Sequence, residues 1–338
     1  MKSYRLFLTT LTVTGLLLST VPLYATNVSA ASKQTASQEV ETMTERESEH
    51  NELTISHIDA HVKDAALQAI REIAPNKVVE LNEVVLLPDN RYVIYSKEKD
   101  VDVTVEQSGK VRSVNVQFKL HEVDPSLMDM VKGHLQQMDA KRTYTFDKIT
   151  RSKAHFSNTD RYSFMGNNKL FVEVNAKSNL ITYVSTEYAV NGVEKSALDT
   201  AKTAIKQFSG KDVAFDKALR VQVGSVDLWK LYDLKADYVV NIEANMGNVV
   251  SILAKNKYIA PKQGQTKKDV FAVPFYSSEQ AINAANSMVQ QLFNVQLSGT
   301  SVDVKLDMYT FTKQGQPSIR GVINSKGEFW QFKMLETR

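Results

Sequence analysis

Residues 103–116 read VTVEQSGKVRSVNV: an alternating apolar run, a glycine, and a second alternating run. Apolar residues at every second position put one face of a strand against a core. Glycine adopts the positive φ that a tight turn needs. The stretch therefore predicts a β-hairpin that turns at Gly109.

The same hairpin pattern recurs three times further along the chain. The predicted turn residues are Gly109, Asn179, Gly247 and Gly327, and an apolar residue follows each of them at two and at five positions. Successive turns are 70, 68 and 80 residues apart. These similar spacings indicate four copies of one unit, and the longer last gap indicates an inserted connector.

A segment with helical periodicity precedes each hairpin, since its apolar residues recur three and four positions apart. The four segments are SHIDAHVKDAALQAIREIA (56–74), DPSLMDMVKGHLQQMDA (124–140), VEKSALDTAKTAIKQFSG (193–210) and SSEQAINAANSMVQQLF (277–293). We expect N-caps at Ser56, at Asp124 before a proline, and at Ser277 with a glutamine three residues later.

An amphipathic helix and a sheet with one apolar face can cover each other. The predicted fold is therefore α+β, with about four tandem units of one helix packed on a three- or four-stranded antiparallel sheet. The predicted organisation is a signal peptide (1–30), a disordered spacer (31–54), units 1 to 3 (55–121, 122–190, 191–258), a linker (259–276) and unit 4 (277–338). The alternative is an α+β chain whose helices and hairpins are not copies.

The N-terminal region predicts secretion. MKSYR is basic, residues 6–23 are apolar but rich in Thr, and residues 28–30 fit a cleavage site, with cleavage after Ala25 as an alternative. An uncleaved membrane anchor is the other interpretation. Residues 31–52 carry six acids and two bases without an apolar period, which is typical of disorder. We expect an extracellular or cell-wall-associated bacterial protein.

Composition excludes several classes of function. The chain has no cysteine, which excludes disulfides and thiol nucleophiles. Removal of residues 1–30 takes Lys2 and Arg5 from 41 basic residues and leaves 39 against 38 acidic ones. Such a balance gives no long-range attraction to nucleic acid or anionic lipid. After the signal, no stretch is long and apolar enough to span a bilayer.

Two of the hairpins resemble a known module. YVVNIEANMGNVVSI (238–252) and IRGVINSKGEFWQF (319–332), each behind an Ala-rich helix, are similar to the closing hairpin of the PepSY domain. This module occurs in propeptides of thermolysin-like metallopeptidases and in bacterial envelope proteins. The resemblance implies a cystatin-like half-fold and a role in binding, inhibiting or stabilising a secreted peptidase or wall-lytic enzyme. Copy two departs from the pattern at Asn179, and no peptidase domain follows.

His57 and His61 are the candidate metal ligands, because histidines at i and i+4 can share a helix face. The metallopeptidase pattern requires Glu directly after the first His, and Ile58 stands there. A catalytic site also needs a third protein ligand. Two solvent-facing histidines at a helix start are the favoured interpretation, with a metal-dependent hydrolase as the alternative. No catalytic, cofactor-binding or metal residues are assigned.

Three further patterns have ordinary structural explanations. TRSKAHFSNTDRYSF (150–164) mixes basic and aromatic residues, which fits a single-strand nucleic-acid platform or, better at this net charge, a two-faced hairpin. The connector lysines at 262, 267 and 268 fit a solvated linker better than a contact with anionic wall polymer. Trp229 and Trp330 lie in strand-like runs and are predicted core residues.

These observations predict a secreted non-catalytic protein, not an enzyme, that docks and modulates a secreted peptidase or cell-wall hydrolase through a sheet edge or face. No cofactor and no nucleic-acid partner are expected. The alternative function is a structural surface or matrix protein of the bacterial envelope whose units self-associate.

Overall fold

The computed structural model describes residues 53–335. The predicted signal peptide and residues 31–52 of the predicted spacer lie outside the described residues. Within residues 53–335 there are five helices: α1 (Ala60–Ile73), α2 (Pro125–Met138), α3 (Lys195–Ser209), α4 (Lys267–Val270) and α5 (Ser278–Phe293). Short 3-10 turns lie at Ile55–His57, Leu120–Glu122, Asn167–Lys169, Val190–Gly192 and Lys255–Lys257.

Most of the remaining chain is strand. The first nine strands are β1 (Leu53–Thr54), β2 (Leu81–Leu86), β3 (Arg91–Ser96), β4 (Val101–Glu106), β5 (Val111–Phe118), β6 (Phe146–Ala154), β7 (Thr159–Gly166), β8 (Leu170–Asn175) and β9 (Ile181–Tyr188). The other eight are β10 (Lys217–Val223), β11 (Val226–Asp233), β12 (Tyr238–Glu243), β13 (Val249–Ala254), β14 (Ser301–Lys305), β15 (Met308–Thr312), β16 (Ile319–Ile323) and β17 (Phe329–Met334).

Antiparallel pairing joins all of these strands into one sheet. Each strand from β1 to β13 pairs with the next, including β5 with β6 and β9 with β10, which are separated in the chain by α2 and α3. The direction of travel then reverses, because β13 pairs with β17, and β16, β15 and β14 follow outward. Strand β14 is therefore one edge of the sheet in the described part of the chain.

The prediction of four tandem helix-on-sheet units is wrong. Residues 53–335 form a single 17-stranded antiparallel sheet with five helices, in which strands predominate. Strand β5 pairs with β6 over six register positions, and β9 pairs with β10 over six, so no small sheet ends at either place. Alternating apolar residues specify a strand and its buried face, but they do not specify which strand lies beside it.

The predicted turns and helices are confirmed, with the exception of one predicted N-cap. The four turn residues Gly109, Asn179, Gly247 and Gly327 all have positive φ, between 53° and 84°. The four periodic segments are helical as α1, α2, α3 and α5. Asp124 and Ser277 cap their helices as expected, but Ser56 does not, because α1 begins at Ala60 behind Asp59.

Three hydrophobic cores lie under the helices. The first joins α1 to β2–β5 and the second joins α2 to β6–β9. The third is shared, because α3 and α5 pack together over β10–β13 and β15–β17. Trp229, 1% exposed, belongs to the third core as predicted, whereas Trp330 is half-buried beside Tyr258 and lies outside it.

All three cores lie on the same face of the sheet. Register partners in adjacent strands point to the same face. At the two junctions between cores the partners are Phe118 with Ile149 and Tyr188 with Ala218, and inside the third core Ile252 is the partner of Phe332 where β13 meets β17. Each of these residues belongs to a core or packs against one. The helices that cover these cores therefore share one face, and the opposite face carries no helix in the described residues.

Candidate functional site

The face of the sheet opposite the helices, here called the open face, is left without a covering helix in residues 53–335. On β11, for example, Trp229 and Leu231 point into the core, so Leu228, Lys230 and Tyr232 point to the open face. Because strand alternation repeats in every strand, this face is continuous from β2 to β14. We take it as the candidate functional site.

The open face of β4–β8 carries polar side chains that pair with one another, although Arg161 Nε is buried without a hydrogen-bond partner in the protein. Arg161 pairs with Glu173 at 2.9 Å, and Asn115 Nδ2 donates to Asp102 Oδ1 at 2.7 Å. Burial raises the pKa of Asp102, and the hydrogen bond from Asn115 offsets this only in part. Because these side chains pair with one another, we infer that this half of the open face stabilises the sheet and is less suited to binding a ligand.

Two shallow clefts open on the described surface. One, of about 390 Å³, is lined by Asp89, Arg91, Glu106, Arg112 and Phe156. Its arginines are already paired, Arg91 with Asp89 and Arg112 with Glu106. Since every charge that lines this cleft has a partner inside it, the cleft offers no free group for catalysis.

The second cleft, of about 460 Å³, lies where β9 meets β10. Glu187 is held there between Lys169 at 2.8 Å and Lys217 at 3.4 Å. The hydrogen bond from Lys169, and then that from Lys217, lowers the pKa of Glu187. A carboxylate fixed between two ammonium groups is a structural element at a strand junction. Asp216, which also lines the cleft, accepts a hydrogen bond from the backbone N–H of Leu234 at 2.9 Å.

The two candidate histidines have separate structural contacts. The backbone N–H of Thr54 donates to His57 Nδ1 at 3.0 Å, and His61 Nε2 lies 3.0 Å from the carbonyl oxygen of Gln107. His57 lies in a 3-10 turn before α1, so the two rings do not share the turn of a helix that the i and i+4 spacing predicted. Among the described residues no group of three potential metal ligands occurs.

The basic and aromatic stretch at 150–164 forms the β6–β7 hairpin, as the favoured interpretation predicted. Arg151 donates through Nε and Nη2 to both carboxylate oxygens of Asp160, and through Nη1 to the carbonyl oxygen of Ile73 at the end of α1. Its guanidinium also lies over the Tyr162 ring. This arginine therefore ties the first core to the second, and it is not available to nucleic acid.

Arg220 repeats this arrangement at the next junction. It binds both carboxylate oxygens of Asp227, donates to the carbonyl oxygen of Met138 at the end of α2, and lies over the Trp229 ring. We call the two arrangements the arginine clasps. Sequence reasoning missed them, although an Arg on one strand and an Asp seven or nine residues later across a hairpin was a visible signal.

The connector lysines are not all solvated. Lys267 begins the short helix α4 and pairs with the buried Asp307 at 2.5 Å, while Lys262 and Lys268 have no ion pair within 4.0 Å among the described residues. The interpretation of residues 259–276 as a solvated linker therefore holds only for part of that segment.

No protein-family model matches the chain. No curated protein matches it either.

None of the helices in residues 53–335 has the length and apolar character needed to cross a membrane.

Proposed function

We propose that this chain is a secreted, non-catalytic binding protein that docks a secreted peptidase or cell-wall hydrolase through the open face of its sheet. The observation that carries the proposal is the helix-free face itself, which is continuous across the antiparallel strands of residues 53–335. The charges that line the first cleft are paired with one another, and Glu187 in the second is held by Lys169 and Lys217, which favours a docking role over turnover.

The resemblance of residues 238–252 and 319–332 to PepSY hairpins supports the choice of partner, since PepSY modules accompany secreted peptidases. The premise of separate repeats no longer supports it, because the sheet is continuous. Recognition is therefore assigned to the face and not to exposed edges between units.

Affinity capture from culture supernatant, followed by an assay of each captured peptidase or hydrolase, tests the proposal. The matched variants are S185W, which places a bulky neutral side chain on the open face of β9, and Q137W, which places the same side chain on the exposed side of α2. We expect S185W to lose capture and modulation of the enzyme and Q137W to keep both. Equal capture by the two variants would argue against the open face.

A structural role in the envelope is the second candidate, and the edge strand β14 favours it. Strand β14 pairs only with β15 among the described residues, so its outer N–H and C=O groups are free to pair with another chain. Sizing in solution separates the two functions. Concentration-dependent assembly without enzyme binding would favour the structural role.

A further inference from the structure

A row of three unpaired cations crosses the open face over the shared third core. Successive register partners place Lys230, Asn241, Ser251, Lys333 and Arg320 side by side on β11, β12, β13, β17 and β16. At the usual spacing of strands this row is about 19 Å long. We call it the cationic row.

The cations of this row have no acidic partner of their own. No carboxylate in residues 53–335 makes an ion pair with Lys230, Lys333 or Arg320 within 4.0 Å, in contrast to Arg161 on the other half of the open face. Glu243 on β12 faces Leu228 in the register, and Glu187 is held by two other lysines. Burial lowers the pKa of Lys230, as expected for an ammonium with apolar neighbours and no nearby carboxylate.

Two polar atoms in the row also lack hydrogen-bond partners in the protein. Asn241 Oδ1 is a buried acceptor, and Arg320 Nε is a buried donor. Asn241 already donates to Ser251 Oγ at 2.7 Å, so its free oxygen needs a donor from elsewhere. Buried polar groups without partners cost stability unless a ligand pairs them. A ligand for this row would therefore bring both donors and acceptors.

An apolar row runs beside the cationic row. Six successive register partners form it, on the same five strands and their neighbour β15: Tyr232, Val239, Leu253, Gln331, Val322 and Met308. Val239 and Val322 are buried in this row, whereas Tyr232, Leu253 and Met308 are half-buried and keep part of their surface exposed. The surface therefore offers positive charge along one line and, at these three side chains, apolar contact along the next.

We propose that the cationic row and its apolar neighbour bind an acidic polypeptide segment that carries interspersed aromatic or aliphatic side chains. The carboxylates of this segment pair with Lys230, Lys333 and Arg320. One of its backbone N–H groups donates to Asn241 Oδ1, and one of its backbone C=O groups accepts from Arg320 Nε. Its apolar side chains cover the adjacent row. A phosphate polymer would supply charge but neither donors nor apolar groups. The inference rests on the proposed function and names the chemistry of the partner segment.

The test measures binding of length-matched polymers at low salt: a random copolymer of glutamate and tyrosine, polyglutamate, and polyphosphate. The row variant is K230Q/R320Q/K333Q. The control K63Q/K132Q/K202Q removes the same net charge from exposed lysines of α1, α2 and α3 that form no ion pair with a described residue. We expect the wild-type protein to prefer the copolymer, the row variant to lose about tenfold in affinity, and the control to stay within about twofold.

The single variant K333Q is the control for misfolding of the triple variant, because Lys333 is exposed and its replacement should not disturb the fold. We expect the affinity of K333Q for the copolymer to fall about threefold. Three results would overturn the inference. The two triple variants could lose copolymer affinity equally, or polyphosphate could bind the row more tightly than the copolymer does. The third is a row variant whose only change is a loss of self-association, measured by sizing in solution. If the row variant still captures and modulates an enzyme as well as the wild type does, the inference fails while the proposed function stands. If copolymer binding depends on the row but no enzyme is captured, the proposed function fails and the row remains a binding site.

Discussion

Removal of the Arg220 guanidinium should destabilise the junction between β9 and β10. Arg220 and Asp227 side chains are only 13% and 12% exposed, and their charges are paired through two hydrogen bonds of 3.1 Å and 2.8 Å. The variant R220M keeps an apolar stem against Trp229 but leaves Asp227 buried without a counter-ion. It also removes the donor to the carbonyl of Met138, at 2.8 Å, at the end of α2.

The expected cost follows from these contacts. Removing one partner of a buried ion pair costs about 3–5 kcal/mol, because the remaining charge stays desolvated. The double variant R220M/D227L removes both charges and should recover most of that loss, since an apolar replacement of a buried pair is often nearly neutral. The lost contact to the helix carbonyl should leave a residual cost of about 0.5–1 kcal/mol.

Urea denaturation gives the free energy of unfolding, and amide hydrogen exchange in β9 and β10 localises the effect. The control is K206A, which breaks the Lys206–Asp212 pair, whose side chains are 61% and 84% exposed. It should cost less than about 0.5 kcal/mol. An R220M cost below about 1 kcal/mol, or a double variant no more stable than R220M, would refute the account of the arginine clasp.

Two further predictions concern single positions. D102N should be more stable than the wild type at pH 7, because the raised pKa of Asp102 means that ionisation in the folded state is disfavoured. That penalty appears as pH rises from the ordinary aspartate pKa of 3.8 and is complete above the raised pKa, so denaturation curves of the two proteins should converge below about pH 3. A constant difference would contradict this. G327A should lower the free energy of unfolding by more than about 1 kcal/mol, since φ is +84° and a Cβ would lie 2.1 Å from the Phe275 ring. The control G224A, at φ +57° with open space around it, should lower it less. Equal losses of stability in thermal unfolding would contradict the steric part of the argument.

Periodicity located the helices and turns, because helix stripes and positive-φ residues depend on short stretches of sequence. The lateral order of the strands could not be found in this way. Phe118 and Ile149, for instance, are 31 residues apart and become register partners only because β6 returns beside β5. The apolar alternation of each strand would fit a small separate sheet equally well.

The candidate site was less predictable than the fold. Lys230 and Arg320 are 90 residues apart, and each looks like an ordinary polar position of an alternating strand. They share a row only because β13 pairs with β17 and reverses the direction of the sheet. No spacing rule in the sequence indicates that reversal. The composition of the connector at 259–276 does not specify which of the later strands pairs with β13.

The pairing of β13 with β17 also limits how this architecture can lengthen. Both sides of β17 are occupied, by β13 and by β16, so a further helix and meander fused after β17 would find no strand edge there to continue the series. Internal duplication meets no such obstacle, because a copy of α2 through β9 ends in a strand that can receive β10 just as β9 does. Additional strands can therefore be accommodated in the sheet upstream of residue 191 but not after β17.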